Sequence, residues 1–283
     1  MAIQHYFVFL ILVSAVIHAV WNALVKVSGS RFLTLTLIQA TGICPAFILL
    51  FFVGLPDPDI WPYLLISVVV HNFYFIFLVF CYRLGDLSEV YPIARGSSLL
   101  FIAIGGTLLA GEAPSAFSAL GIGLASLGII SLTFGGQKSL NLGLKKIFAP
   151  LLTGVFISSY TVIDGLGIRA SSSSFNYIVW LNFLEGLPLL FWALIMRKND
   201  LGSFLRKNWL SGSTGGVLAV IAYALVLFSL NEGAMASVSA LRETSVLFAA
   251  IIGTVFLKEK FGIRRIFSAI LIVIGILLIQ LNL

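Results

Sequence analysis

Seven ionisable side chains lie inside otherwise apolar runs: His18, His71, Arg95, Asp164, Glu185, Arg242 and Glu243. A charged group in hydrocarbon costs roughly 2.5–3.5 kcal/mol on insertion scales, so such residues face a cavity or a partner. Their spacing groups them with polar neighbours. His18 and Asn22 share a helical face beside Trp21, and His71 sits three residues before Tyr74. Tyr91 and Arg95 are four apart, as are Tyr160 and Asp164, and Asn182 precedes Glu185 by three. Residues three or four apart meet on one side of a helix. The chemistry open to this set is binding and charge transfer. Arg95 and Arg242 are read as anchors for an anionic part of a substrate, or as members of buried ion pairs with Asp164, Glu185 or Glu243. Three acids stand against two arginines, which leaves Glu185 or Asp164 to carry a coupling proton. His18 and His71 are read as proton-sensitive groups or as neutral rings bonded across helices. Trp21, Tyr74, Tyr91, Tyr160 and Tyr223 are read as pocket walls or as ordinary helix packing.

Enzymatic chemistry finds no support. There is no phosphate-binding glycine loop, no HExxH, no Cys/His metal spacing and no GxSxG. Cys44 and Cys81 sit in apolar runs and read as reduced packing residues. The expectation is no enzyme, no cofactor and no metal.

The elements that must position these residues are transmembrane helices. Of 283 residues, 60% are hydrophobic and 10% charged, with a mean hydropathy of +1.09. Ordinary soluble domains are about a quarter charged. A spanning helix needs about 20 apolar residues, and ten such runs fit, at 6–27, 33–54, 62–82, 88–110, 115–135, 147–168, 175–196, 211–231, 235–257 and 263–282. The net charge of +6 does not imply nucleic acid, because the basic residues fill short gaps between runs. Fourteen Lys and Arg fall on one side of the predicted topology and only Arg169 on the other. The positive-inside rule puts the basic side in the cytoplasm and both termini outside. The expected partners are the lipid bilayer and a small-molecule substrate, with the chain a monomer or homodimer. The expected location is the cell membrane, as in a bacterial inner membrane.

The halves are related. With an offset of 147, residues 95–129 match 242–276 at twelve of 35 positions, including Arg95/Arg242, Gly106/Gly253, Thr107/Thr254, Glu112/Glu259 and Gly128/Gly275. A shorter match sets VWNAL (20–24) over VIDGL (162–166). Five helices per unit reverse the second unit in the membrane. The predicted fold class is therefore an all-α polytopic membrane protein of ten transmembrane helices, in two inverted five-helix repeats. Gly121 and Gly128, matched by Ser268 and Gly275, predict close packing of the fifth helix on the tenth. Glu112 and Glu259 are expected to cap a following helix or hold a basic side chain.

The segments HAVWNALVK (18–26), GDLSEVYPIARGSS (85–98), AGE (110–112), SYTVIDGLGIR (159–169) and LKE (257–259) resemble the EamA-type branch of the drug/metabolite transporter superfamily. That resemblance implies two EamA-like five-helix repeats, 1–136 and 145–283, and a binding cavity between them. It implies transport of amino acids, nucleotide-like metabolites or toxic compounds. The second repeat has VSALRE (238–243) where the first has YPIAR, so the halves are not equivalent. The expected function is secondary transport of a small polar or amphiphilic metabolite by alternating access, with proton coupling. The expected cavity lies among the first, third, fourth, sixth, eighth and ninth helices. A non-transporting membrane subunit or receptor, or an intramembrane enzyme, is the alternative reading.

Overall fold

A computed structural model describes residues 2–26, 30–84, 87–135, 144–255 and 263–280. Glu259, Lys138, Lys258 and Lys260 lie outside them. The described chain runs through α1 (Ala2–Lys26), α2 (Arg31–Val53), α3 (Trp61–Leu84), α4 (Leu87–Ala110), α5 (Ala116–Ser131), α6 (Leu144–Ala170), α7 (Ser174–Met196), α8 (Lys198–Glu232), α9 (Met235–Arg242), α10 (Ser245–Val255) and α11 (Ile263–Gln280). Seven of these helices are long and apolar enough to cross a membrane; α5 and α11 are shorter apolar helices. Large apolar side chains point outward along them, among them Phe51, Phe52, Leu108 and Ile195, each more than 70% exposed. So broad an apolar exterior is what a bilayer covers, and the chain is a multi-pass membrane protein.

Two predicted helices differ from those observed. The eighth was expected over 211–231, yet α8 has 35 residues and starts at Lys198. Its added turns are amphipathic. Leu201, Phe204, Leu205 and Asn208 turn inward at helical spacing while Arg206, Lys207, Trp209 and Leu210 face out. A pure hydropathy window misses such a stripe. At 1.5 Å per residue α8 is about 52 Å long, more than the roughly 30 Å of hydrocarbon. The ninth was expected as one span over 235–257. It is broken instead between α9 and α10. The Glu243 amide is shared between the Ser239 and Ala240 carbonyls at 3.1 Å, and the Thr244 amide reaches back to Leu241 at 3.1 Å. The Thr244 hydroxyl also takes the Leu241 carbonyl, at 2.7 Å. Side-chain competition for a backbone carbonyl, with a tightened last turn, ends the helix there.

The helices pack in pairs. α5 lies on α11, α2 on α7, α3 and α4 on α6, and α1 on α8 and α10. At the α5–α11 crossing the backbones touch. A β-carbon on Gly121 would stand 2.5 Å from the Gly275 carbonyl oxygen, and one on Gly275 would stand 2.6 Å from the Ala125 nitrogen. Backbone atoms cannot yield as a flexible side chain can, so only glycine fits.

The end of the bundle away from the basic loops is closed by polar stapling over an apolar core. The Arg169 guanidinium donates to the Leu230 and Gly233 carbonyls at the end of α8, at 2.8 and 2.7 Å, and pairs with Glu112 at 2.5 Å. Glu112 Oε2 accepts from the Met235 amide at 2.7 Å, capping α9. Helix ends leave backbone groups unsatisfied; this single ion pair serves three of them, at the end of α8 and the start of α9. Glu112 therefore does hold a basic side chain, and it caps α9, not α5. Beneath it Ile60, Leu64, Tyr177, Leu181, Leu227 and Met235 are buried together.

Replacing Gly275 with Val should push α11 off α5 and lower the thermal unfolding midpoint in detergent, at an overpacking cost of about 1–3 kcal/mol. Gly123→Ala, where a β-carbon meets nothing within 4 Å, should leave that midpoint unchanged or slightly raised. Equal midpoints for the two variants would contradict the packing described.

Candidate functional site

A cavity of about 80 Å³ lies at the centre of the bundle, lined from α1, α2, α3, α6, α7, α8 and α9. Of the residues singled out in the sequence, His18, Trp21, His71, Tyr74, Tyr160, Asn182, Glu185, Tyr223 and Arg242 line it. α2 contributes a wall that was not anticipated, through Leu35, Ile38 and Gln39, and α7, which was not among the helices expected at the cavity, adds Asn182 and Glu185. α4, which was anticipated, contributes none.

The five remaining candidates, Asn22, Tyr91, Arg95, Asp164 and Glu243, sit outside the lining, each for a visible reason. Asn22 turns back on its own helix, donating to the His18 carbonyl at 2.9 Å. Tyr91 packs against the Leu35, Phe75, Leu78 and Leu189 cluster. Arg95 is 1% exposed and forms a two-point pair with Glu243: Nη2 to Oε1 at 2.5 Å and Nε to Oε2 at 3.0 Å. Its guanidinium also stands 5.9 Å from the Tyr91 ring centre. Asp164 is fully buried behind the wall. It accepts from the Tyr177 hydroxyl at 2.9 Å and from the Tyr223 hydroxyl.

The two arginines thus have different surroundings, although they occupy equivalent places in the sequence match. Arg95 is neutralised by Glu243. Arg242 lines the cavity, and no carboxylate among the described residues lies within ion-pair distance of it. Its Nη2 donates to the Tyr160 hydroxyl at 3.4 Å, and its guanidinium lies 5.7 Å from the Tyr223 ring centre. Aromatic faces lower the cost of a buried cation but do not cancel its charge. Two further cavity nitrogens, His18 Nε2 and Trp21 Nε1, are buried without a hydrogen-bond partner. An indole N–H can only donate, so this wall offers hydrogen-bond donors around one positive charge.

The other wall carries the acid. Glu185 Oε1 accepts from Gln39 Nε2 at 2.9 Å and stands 3.9 Å from His71 Nε2. The same His71 nitrogen is 4.0 Å from Asp164 Oδ2. His71 Nδ1 lies 3.1 Å from the Ser67 carbonyl oxygen. The Ser67 hydroxyl lies equally close to Nδ1, at 3.1 Å; with the hydrogen on Nδ1 donated to the carbonyl, which only accepts, Nε2 faces both carboxyls. The ring is held by stacking on Tyr160, with centres 3.8 Å apart. His71 bridges two buried acids that have no arginine or lysine within ion-pair distance among the described residues.

Sequence reasoning passed over Gln39, Ser14 and Tyr177. Gln39 was detectable as the one amide in the second apolar run, but its companion at helical spacing is only Thr36, a residue common in apolar helices. Tyr177 sits near a helix start, where an aromatic reads as an interfacial anchor. Among the described residues no cluster of three His, Cys, Asp or Glu is arranged to hold a metal ion.

Comparison with known proteins agrees with this picture. Residues 144–281 match the EamA-like transporter family. No curated protein matches the chain. A solved crystal structure, described only as that of a protein, superposes with a TM-score of 0.78 at 15% identity, covering 98% of this chain and 96% of that one. At that identity the likeness speaks for the fold. The family match bears out the resemblance drawn from the sequence motifs. That match covers just under half of the chain; together with the apolar helices it supports a multi-pass membrane protein whose second half is similar to EamA-like transporters.

Removing one partner of a buried pair strands the other at about 3–5 kcal/mol, while replacing both by apolar groups is close to neutral. Arg95→Met should therefore lower the unfolding midpoint in detergent sharply, and Arg95→Met/Glu243→Leu should recover most of the loss. A double variant as unstable as the sum of the single ones would show that the pair does not act as a unit.

Proposed function

We propose that the protein is a secondary carrier. It moves a small polar or amphiphilic metabolite bearing an anionic group, of an amino-acid-like kind, across the cell membrane by alternating access. The observation that carries this reading is Arg242, a cation in the central cavity with no carboxylate within ion-pair distance among the described residues, while its sequence counterpart Arg95 is neutralised by Glu243. Arg242, Trp21 and His18 would hold the anionic end, and Tyr74, Tyr160 and Tyr223 would enclose the rest.

Alternating access needs two related halves, taken here as residues 1–136 and 145–283. The packing supports this division. Match α1–α5 in order to α6, α7, α8, α9 with α10, and α11. The α2–α7 and α5–α11 pairs then map onto themselves. The α3–α6 pair maps onto α8–α1, α4–α6 onto α9/α10–α1, and α3–α7 onto α8–α2; all of these pairs are packed. A two-fold relation between inverted repeats predicts that pattern. On the same reading the basic end faces the cytoplasm and both termini lie outside, so the stapled end at Arg169 and Glu112 is the closed outer side.

Coupling is assigned to the Glu185–His71–Asp164 trio. His71 Nε2, if unprotonated, would present a lone pair to two oxygen acceptors. A proton shared among the three groups relieves that opposition, and proton relays in membranes are built from such acids and histidines. Glu185, which lines the cavity, would exchange the proton with the transport cycle, and Asp164 would hold the inner end.

A metabolite library screened by thermal shift on the purified protein supplies the ligand, and flux of that ligand into proteoliposomes tests the reading. Arg242→Gln should weaken binding about 10- to 100-fold, the worth of a charge-assisted hydrogen bond, with the fold intact. Glu185→Gln should keep binding but lose the response of flux to an imposed pH gradient. A ligand that binds and never crosses would point to a receptor or a non-transporting subunit. Flux undiminished in both variants would contradict the site.

A further inference from the structure

A second cavity, of about 300 Å³, lies between α2, α3 and α7 toward the basic end. Its walls are apolar, chiefly Phe32, Phe75, Val79, Leu189 and Trp192, and Arg83 and Arg197 belong to its lining. α2 and α3 are not a packed pair; α7 touches both, so the gap between them is a groove. Phe80, Trp192 and Met196 on its rim are 46%, 49% and 68% exposed, which opens the groove sideways toward lipid. Both arginines lie at helix ends, Arg83 in the last turn of α3 and Arg197 just past α7. Arg197 uses its Nε on Asp200 at 2.8 Å, and no ion pair of Arg83 occurs among the described residues. The central cavity and the groove share two walls, Leu35 and Phe75.

We propose that this groove is a binding site for one anionic phospholipid, with an acyl chain along Phe75 and Val79 and the phosphate on Arg83 and Arg197. Polarity and position agree: an apolar slot open to the bilayer, with two arginines at its basic end. Basic pockets between helices on the cytoplasmic side are suited to anionic headgroups. A zwitterionic lipid offers the same chains but no net charge for the two arginines. The occupant has a consequence for the centre. A chain lying against Phe75 and Leu35 packs on the thin wall that separates the groove from the substrate cavity, and so biases whether that wall can part. The proposal does not depend on what the cavity binds.

Native mass spectrometry of the purified full chain, titrated with dioleoyl phosphatidylglycerol or dioleoyl phosphatidylethanolamine, tests it. The expected preference for phosphatidylglycerol is about 30-fold for two surface arginines. It should fall to within about twofold in Arg83→Gln/Arg197→Gln, since both cations are then gone. Arg206→Gln/Lys207→Gln removes the same charge from the same end but outside the groove, and should leave the preference unchanged. Val79→Trp, which fills the slot and keeps both arginines, should abolish retention of the lipid. The proposal is overturned if the Arg206/Lys207 variant weakens binding as much as the Arg83/Arg197 variant. It is equally overturned if Val79→Trp binds as before, or if inorganic phosphate at equal concentration displaces the lipid.

Discussion

The buried pair between Arg95 and Glu243 is the constraint around which the centre of this bundle is arranged. Arg95 sits deep in α4, and Glu243 sits at the point where the predicted ninth helix breaks. Arg95 is 1% exposed and does not line the cavity, so its charge is met by a carboxylate, and the helix gives up regular bonding at Glu243 and Thr244, where that carboxylate reaches the guanidinium. That local cost fixes where α9 ends and α10 begins. It also fixes the neighbour of Glu243: Arg242, the last residue of α9, is presented to the cavity beside Tyr160 and Tyr223. Of the two arginines in the sequence match, one is neutralised in a buried pair, and on the proposed function the other is left for a ligand. The proposed anion site follows from this division.

Around that centre the two ends of the molecule are sealed differently. At one end Arg169 and Glu112 join the ends of α4, α6, α8 and α9 over a deep apolar core. At the basic end the central cavity and the lipid-facing groove share Leu35 and Phe75 as walls. The proposed lipid at the groove would act on that shared wall.

Much of this was legible in the sequence because a bilayer imposes a simple code. Length and hydropathy located the helices, and small residues in matched positions predicted the α5–α11 contact. Charges within apolar runs identified most of the cavity, since His18, His71, Glu185 and Arg242 have no cheap place in lipid. What escaped had local causes. The extension of α8 is amphipathic rather than apolar. The break after Arg242 depends on a partner 148 positions earlier in the chain, which no window along the sequence can see. Arg95 and Arg242 look equivalent in the sequence match, and only the placement of Glu243 separates them. Gln39 had only Thr36 at helical spacing and no charged or aromatic companion to flag it, and Asn22 had His18 but turned to its own backbone.

The central claim is that the cavity opens to each side of the membrane in turn. In a Cys44→Ala/Cys81→Ser background, a single cysteine at Ala219, which lines the cavity, can be probed with a membrane-impermeant thiol reagent. Oriented proteoliposomes allow the reagent to be applied from one face or the other. The account predicts labelling from the basic face and from the opposite face, with bound ligand or an imposed pH gradient raising one rate as it lowers the other. Labelling confined to one face under every condition would contradict it.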